Sequence, residues 1–72
     1  MLKLSEAAEA AGVSVQTLEY YIMLGLITPI TPPGTRRRFF DEPLVRRIRL
    51  IRQLNASGYT LREIREMWMK NR

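Results

Sequence analysis

"GVSVQTLEYYIMLGL", residues 12–26, is the stretch that decides the fold of this 72-residue chain. Ser14 is a good N-cap for a helix that begins at Val15, because its hydroxyl can accept a hydrogen bond from a free N–H group of the first turn. Gly25 suits the left-handed conformation that follows many helix ends, so the helix is predicted to end near Leu24. Leu18 and Tyr21 share one face at helical spacing, which indicates that this face is buried.

A shorter helix is predicted just before this stretch. It would run from about Glu6 to Ala11, with Ser5 as its N-cap and Gly12 after its end. The two helices are joined by a Gly-Val-Ser turn. Two short helices joined in this way predict a helix-turn-helix over about residues 5–25.

The segment after the second helix predicts a small β-hairpin, or wing, over about residues 27–40. Residues 26–30 and 37–40 are compatible with strands and flank a Pro-Pro-Gly-Thr turn. Prolines at 29, 32 and 33 exclude helix here and limit the pairing of the two strands. Three consecutive arginines are expected at or just after the tip: Arg36, Arg37 and Arg38.

Two further helices are predicted, at about residues 42–56 and 61–70. Asp41 is a good N-cap for the first, and Gly58 follows its end. The second begins with a capping box formed by Thr60 and Glu63. Their predicted buried residues recur at helical spacing and are Leu44, Val45, Ile48, Ile51 and Leu54 in the first, and Leu61, Ile64, Met67 and Trp68 in the second. The chain is therefore predicted to be one domain, residues 1–72, that is mainly α: a winged helix-turn-helix of four helices with a short two-stranded β-hairpin wing.

The charge is concentrated in the second half of the chain. The net charge is +5, but residues 1–34 contain one lysine and three glutamates, whereas residues 35–72 contain eleven basic and four acidic residues. A basic half on a small domain predicts a polyanionic partner, with double-stranded DNA the first candidate. The alternative is that the charge serves solubility alone.

Composition argues against catalysis and against a bound cofactor or metal. The chain contains no histidine and no cysteine, which removes the commonest general base and the usual ligands of zinc. The apolar runs are also too short to span a membrane, and no signal peptide is recognisable. We therefore expect a cytoplasmic protein that is not an enzyme.

Three strings together resemble one protein family. They are "GVSVQTLEYYIMLGLITP" (residues 12–29), "RRRFFDEPLVRRIRLIRQL" (residues 36–54) and "GYTLREIREM" (residues 58–67). Their order and content resemble the DNA-binding domain of the MerR family of bacterial transcription regulators, and the resemblance covers nearly the whole chain. It implies a bacterial or phage protein associated with the nucleoid.

The resemblance also implies roles for particular residues. The second helix would lie in the DNA major groove, the wing would touch the backbone or the minor groove, and the start of the last helix would form part of a second wing. The residues expected to contact DNA are Ser14, Gln16, Thr17, Tyr20, Arg36, Arg37, Arg38, Tyr59, Thr60 and Arg62. The alternative for the Tyr20–Tyr21 pair is that both rings only cover the core.

Glu19 departs from the family pattern, which usually has a basic residue at this position. A glutamate on the outer side of the second helix repels phosphates, although it can accept a hydrogen bond from cytosine. It could instead pair with a wing arginine and orient it. The sequence leaves open whether the DNA site differs, whether the basic residues beyond residue 35 carry the affinity, or whether DNA binding has been lost.

Other functions within reach of the same fold also remain open. An excisionase-like DNA accessory factor is a variant of the DNA-binding interpretation. A protein-interaction module, of the kind found in MerR-like chaperone modulators, is an alternative favoured by Glu19 and the uncharged second helix. A homodimer would need a segment absent from these 72 residues, because family regulators continue into a long dimerisation helix.

Overall fold

The computed structural model describes residues 1–70, and these form four helices and two short strands. In chain order they are β1 (Leu2–Lys3), α1 (Leu4–Ala11), α2 (Val15–Met23), β2 (Phe39–Phe40), α3 (Glu42–Ala56) and α4 (Leu61–Lys70). The predicted fold class, a mainly helical winged helix-turn-helix, is confirmed.

The first helix begins earlier than the sequence predicted. α1 starts at Leu4, so Ser5 lies inside its first turn and the prediction of Ser5 as N-cap was wrong. The backbone N–H of Lys3 donates to Glu6 Oε1 at 2.8 Å, so the glutamate side chain holds this end of the helix. Leu4 packs against the core, which gives the extra residue a reason to join the helix. Gly12 ends α1 in the left-handed conformation, with φ 74°.

The second helix begins and ends at the residues from which its ends were predicted, Ser14 and Gly25. Ser14 Oγ accepts a hydrogen bond from the Thr17 N–H at 3.0 Å. At the other end Gly25 adopts a φ of 79° after the final residues of α2. The turn between α1 and α2 is closed by the Val13 N–H, which donates to the Ala8 carbonyl at 3.0 Å.

The wing is closed by one residue pair rather than by a ladder of strands. Ile30 and Phe39 exchange two backbone hydrogen bonds of 2.9 Å each. The next pair toward the tip would need an N–H at position 32, and Pro32 has none. Within residues 1–70, β2 instead forms its two-residue ladder with β1, antiparallel, with Leu2 opposite Phe40 and Lys3 opposite Phe39. β1 was not predicted from the sequence.

The core lies where α1, α3 and β2 meet, with α2 and α4 packed around them. Small side chains let α1 lie close to α3, because all three buried residues of α1 are alanines. A backbone contact adds to this packing, since the Arg49 guanidinium donates to the Ala10 carbonyl at 3.2 and 2.9 Å. The twelve buried apolar residues are Ala7, Ala8, Ala11, Leu18, Tyr21, Leu26, Ile27, Phe40, Val45, Ile48, Ile51 and Ile64.

The last helix packs through a narrower stripe than the sequence predicted. Its capping box forms, because the Thr60 N–H donates to Glu63 Oε1 at 2.9 Å and the Glu63 N–H donates to Thr60 Oγ1 at 3.0 Å. Ile64 is buried, and Trp68 packs against the core with the Arg47 guanidinium 4.2 Å from its ring centroid. Met67 was predicted to be buried and is 39% exposed. That prediction was wrong because α4 is covered on one side only.

Residues 1–70 contain neither a candidate membrane-spanning helix nor a candidate metal site. No helix within residues 1–70 combines the length and apolar character that a membrane crossing requires. No group of three His, Cys, Asp or Glu side chains among these residues is placed to hold a metal ion.

Candidate nucleic-acid interface

α2 carries three of the predicted DNA-contacting residues on its outer side. Gln16 is exposed and Thr17 is half-buried, while Tyr20 is 47% exposed. Leu18 and Tyr21 lie in the core, as predicted. The outer side of α2 therefore offers one amide and two hydroxyl groups, which can hydrogen-bond to base edges and to phosphates.

The beginning of α2 orients its hydroxyl groups. Ser14 Oγ accepts from the Thr17 N–H and donates its own proton to Thr17 Oγ1, at 2.9 Å. The Thr17 hydroxyl is then left with its proton to donate away from the helix. Ser14 therefore acts first as the cap that fixes Thr17, and its hydroxyl is already engaged on both sides.

The start of α4 lies beside the outer side of α2. A surface groove of about 390 Å³ is lined by Gln16, Thr17 and Tyr20 of α2 together with Leu61 of α4. An adjoining groove of about 750 Å³ is lined by Tyr20 together with Thr60 and Arg62, among others. The Tyr20 ring is shared by both grooves. The two grooves thus place Gln16, Thr17 and Tyr20 of α2 and Thr60 and Arg62 of the predicted second wing on one continuous surface.

Two acidic side chains modify the charge at the start of α4. The Glu63 carboxylate accepts from the Thr60 backbone N–H at 2.9 Å. Hydrogen bonds from the backbone and the side chain of Thr60 lower the pKa of this carboxyl below its ordinary value of 4.5. Arg62 pairs with Glu66, with 3.5 Å between Nε and Oε1, and the Arg62 side chain is 88% exposed. Exposed pairs of this kind are weak, so Arg62 can exchange Glu66 for a phosphate. Tyr59, also predicted to contact DNA, is exposed in the turn before α4.

The three wing arginines are not equivalent. Arg36 and Arg37 are exposed, whereas Arg38 is partly buried. The Arg37 N–H donates to Thr35 Oγ1 at 3.0 Å, which fixes the backbone just after the tip. Two guanidinium groups are therefore presented to solvent, and the third is turned back toward the protein.

Arg38 is held by Glu19, so the pairing of Glu19 with a wing arginine that the sequence left open does form. Arg38 Nη1 lies 2.5 Å from Glu19 Oε1. The hydrogen bond from Arg38 lowers the pKa of the Glu19 carboxyl, and the same bond raises the pKa of Arg38. Glu19 therefore does not present an unpaired negative charge beside Gln16 and Tyr20.

Two residues that lie beside the predicted ones, Lys3 and Asn55, were not predicted from the sequence. Lys3 lines a groove of about 360 Å³ together with Arg37 and Arg38. Its position depends on the pairing of β1 with β2, and a strand of two residues is too short to show an alternating pattern in the sequence. Asn55 lines both grooves beside Tyr20, and its Nδ2 donates to the Tyr59 carbonyl at 2.8 Å. Asn55 could have been found from its place three residues before Gly58, because Asn side chains often hydrogen-bond to nearby backbone groups at turns.

The chain is similar in sequence to known transcription regulators of one family. The profile of the MerR HTH family of regulatory proteins matches residues 2–70. A nodulation protein, NolA, of Bradyrhizobium elkanii is 38% identical over 64 residues, which are 89% of this chain and 29% of that protein. A mercuric resistance operon regulatory protein of Pseudomonas fluorescens is 39% identical over 61 residues, 83% of this chain and 42% of that protein. The chain thus spans less than half the length of these relatives.

Two solved structures have the same fold. The transcription regulator PbrR691 from Ralstonia metallidurans CH34, in complex with lead(II), aligns with a TM-score of 0.87 and 30% identity, over 99% of this chain and 56% of that one. HiNmlR, a MerR family regulator lacking the sensor domain and bound to promoter DNA, aligns with a TM-score of 0.81 and 26% identity, over 92% of this chain and 50% of that one.

Proposed function

Because the chain belongs to the MerR HTH family of regulatory proteins, we propose that it binds double-stranded DNA as the recognition domain of a bacterial or phage transcription regulator. The observation that carries this proposal is the position of α2 between two flanks. The start of α4 adjoins its outer side through the shared grooves at Tyr20. The wing adjoins it through the contact of Glu19 with Arg38.

The reading element in this proposal is α2. Nine residues make a helix about 14 Å long, and the major groove of B-DNA, about 12 Å wide, accepts a helix. Gln16 is placed to read adenine through its amide, and Thr17 to meet a thymine methyl group or a phosphate. The Tyr20 hydroxyl would bind a phosphate and so fix the position of the helix without specifying a base.

The flanking elements supply the charge. Exposed basic residues at this surface include Arg36 and Arg37 on the wing, Lys3 beside them, and Arg62 at the start of α4. Arg65 is also exposed and lines the same groove as Arg62. Thr60 and Tyr59 would add hydroxyl contacts, with Ser14 acting mainly through Thr17. Such contacts to phosphates give affinity without sequence preference. HiNmlR, which shares the fold, has been crystallised on promoter DNA, and this supports the same mode of binding here.

The pairing of Glu19 weakens the case for a protein-interaction module. That alternative drew on a glutamate facing outward from a helix without basic residues, and Glu19 is in fact neutralised by Arg38. An excisionase-like accessory role would use the same DNA surface and stays within the proposal. A non-enzymatic role at the nucleoid in the cytoplasm is part of the same proposal, and the regulatory proteins of the matching family support it.

The test is a titration of the 72-residue chain into fluorescently labelled random duplex DNA at several salt concentrations. With four phosphate contacts, the logarithm of the binding constant should fall with the logarithm of salt concentration with a slope of about −3 to −4. Arg37→Ala should make this slope shallower by about one. The matched control is Arg46→Ala, since Arg46 lies on α3 and pairs with Glu42 at 3.2 Å. No binding even at low salt would refute the proposal for the monomer.

A further inference from the structure

The contact between Glu19 and Arg38 differs in kind from the other ion pairs of residues 1–70. The Glu42–Arg46 and Glu66–Arg62 pairs each lie within one helix, at a spacing of four residues. The Glu19–Arg38 pair joins α2 to the wing, across nineteen positions of sequence. Its side chains are 46% and 34% exposed, so it lies at the edge of the proposed DNA surface, in reach of solvent and of a ligand.

Within the described part of the chain, most polar contacts of the wing do not involve α2. Its base is closed by the Ile30–Phe39 pair, and its tip by the Thr35 N–H, which donates to the Pro32 carbonyl at 3.3 Å. These bonds lie inside the wing, and the pairing of Phe39–Phe40 with Leu2–Lys3 ties its base to β1. None of them reaches α2. The Arg38 guanidinium is the polar group that ties the wing to the helix.

We propose that Glu19 is a positioning residue that sets the wing against α2 and thereby raises the discrimination between DNA sequences. This inference rests on the proposed function. By holding Arg38, Glu19 fixes the place from which Arg36 and Arg37 reach the backbone relative to the bases that Gln16 reads. Glu19 also pairs with the Arg38 guanidinium, which would otherwise bind DNA phosphates regardless of sequence.

The two effects act on different quantities. Nonspecific binding is almost entirely electrostatic, so withdrawing Arg38 and adding a carboxylate both lower it. Specific binding needs α2 and the wing to engage together, so a fixed angle between them favours the correct register. Glu19 thus lowers affinity for random DNA by more than it lowers affinity for the preferred site, and specificity is the ratio of the two.

The first experiment needs no DNA. Amide hydrogen exchange at Ile30 and Phe39 reports opening of the wing in the free protein. Glu19→Gln keeps the size of the side chain and removes its charge, and we expect these two amides to exchange about two- to five-fold faster, the range of an exposed ion pair. Glu66→Gln is the matched control, because it breaks an exposed pair within α4, and it should leave both amides unchanged.

A charge swap sharpens this first experiment. The double variant with Glu19→Arg and Arg38→Glu restores an opposite pair at the same place and should return the exchange rates toward those of the wild type. Unchanged exchange in Glu19→Gln would overturn the positioning role. Faster exchange across the whole chain would also overturn it, because the residue would then support the fold in general.

The second experiment separates positioning from base reading. With Glu19→Gln, affinity for random duplex DNA should rise, its salt dependence should steepen by about one phosphate contact, and the ratio of selected-site to random-site affinity should fall. A changed preference at one base position, with the ratio kept, would mean that Glu19 reads that base instead. Equal loss on both DNAs would overturn the inference as well. If the wild type binds no DNA, the proposed function fails, while the exchange measurement still decides whether Glu19 holds the wing.

Discussion

Replacing Ser14 with alanine should destabilise the domain through one identifiable contact. The Ser14 hydroxyl accepts from the Thr17 N–H at 3.0 Å and donates to Thr17 Oγ1 at 2.9 Å. Alanine can do neither, so the first turn of α2 loses its side-chain acceptor. Loss of such a cap costs about 1 kcal/mol, within a range of about 0.5 to 2 kcal/mol.

That loss is a measurable share of the stability of so small a domain. At about 0.05 to 0.15 kcal/mol per residue, 72 residues give a free energy of unfolding of roughly 4 to 11 kcal/mol. A loss of about 1 kcal/mol lowers the melting temperature by about 4 to 8 °C in a domain of this size. Circular dichroism at 222 nm (the usual wavelength for helix), followed through thermal and urea unfolding, gives both quantities.

Ser5 provides the control, because the sequence suggested the same capping role for it. It lies inside the first turn of α1 and is exposed, with its helix end held by Glu6 instead. Ser5→Ala should leave stability unchanged or raise it by a few tenths of a kcal/mol, since alanine has the higher helix propensity. Equal losses for the two variants, or none for Ser14→Ala, would refute the assignment of the caps.

Four further outcomes follow from single contacts. The contacts with Thr60 lower the pKa of Glu63, so the stability they add is present above about pH 4.5 and is lost as the pH falls through the lowered pKa. Glu63→Gln keeps the capping box without the charge and should make the free energy of unfolding less dependent on pH on the acid side. Gln16→Ala should change the base preference in a site selection more than the overall affinity, and a uniform loss would mean that the side chain only positions the helix. Gly12→Ala should cost about 1 to 2 kcal/mol in urea unfolding, because φ is 74° there although space for a methyl group is free. Lys3→Ala should make the salt dependence of DNA binding shallower by about one contact, and an unchanged slope would remove Lys3 from the interface.

The parts of the fold that were predictable are those in which the signal is local. Helix ends at Ser14, Asp41 and Thr60 depend on residues within three positions along the chain, and each of these side chains makes its capping bond. The start of α1 was misjudged because two acceptable caps lie close together, the Ser5 hydroxyl and the Glu6 carboxylate. Packing of Leu4 against the core decides between them, and that contact cannot be predicted from neighbouring residues.

The parts that were not predictable depend on contacts between distant segments. β1 exists because Leu2–Lys3 lies beside Phe39–Phe40, and two residues carry no periodicity. Lys3 could therefore not be assigned to the proposed interface. Glu19 shows the same limit, since the sequence offered several partners for it and only the position of the wing selects Arg38.

The pairing of β1 with β2 has a consequence for the order in which the domain is assembled. The turn between α1 and α2 is closed by contacts near in sequence, which form early and fast. The strand pair must bring Leu2 to Phe40, so it has to wait until the whole wing has been synthesised, and its closure carries the entropy of a long loop. β1 is thus among the last segments to form its native contacts. Mutations in β1 should therefore speed unfolding more than they slow folding.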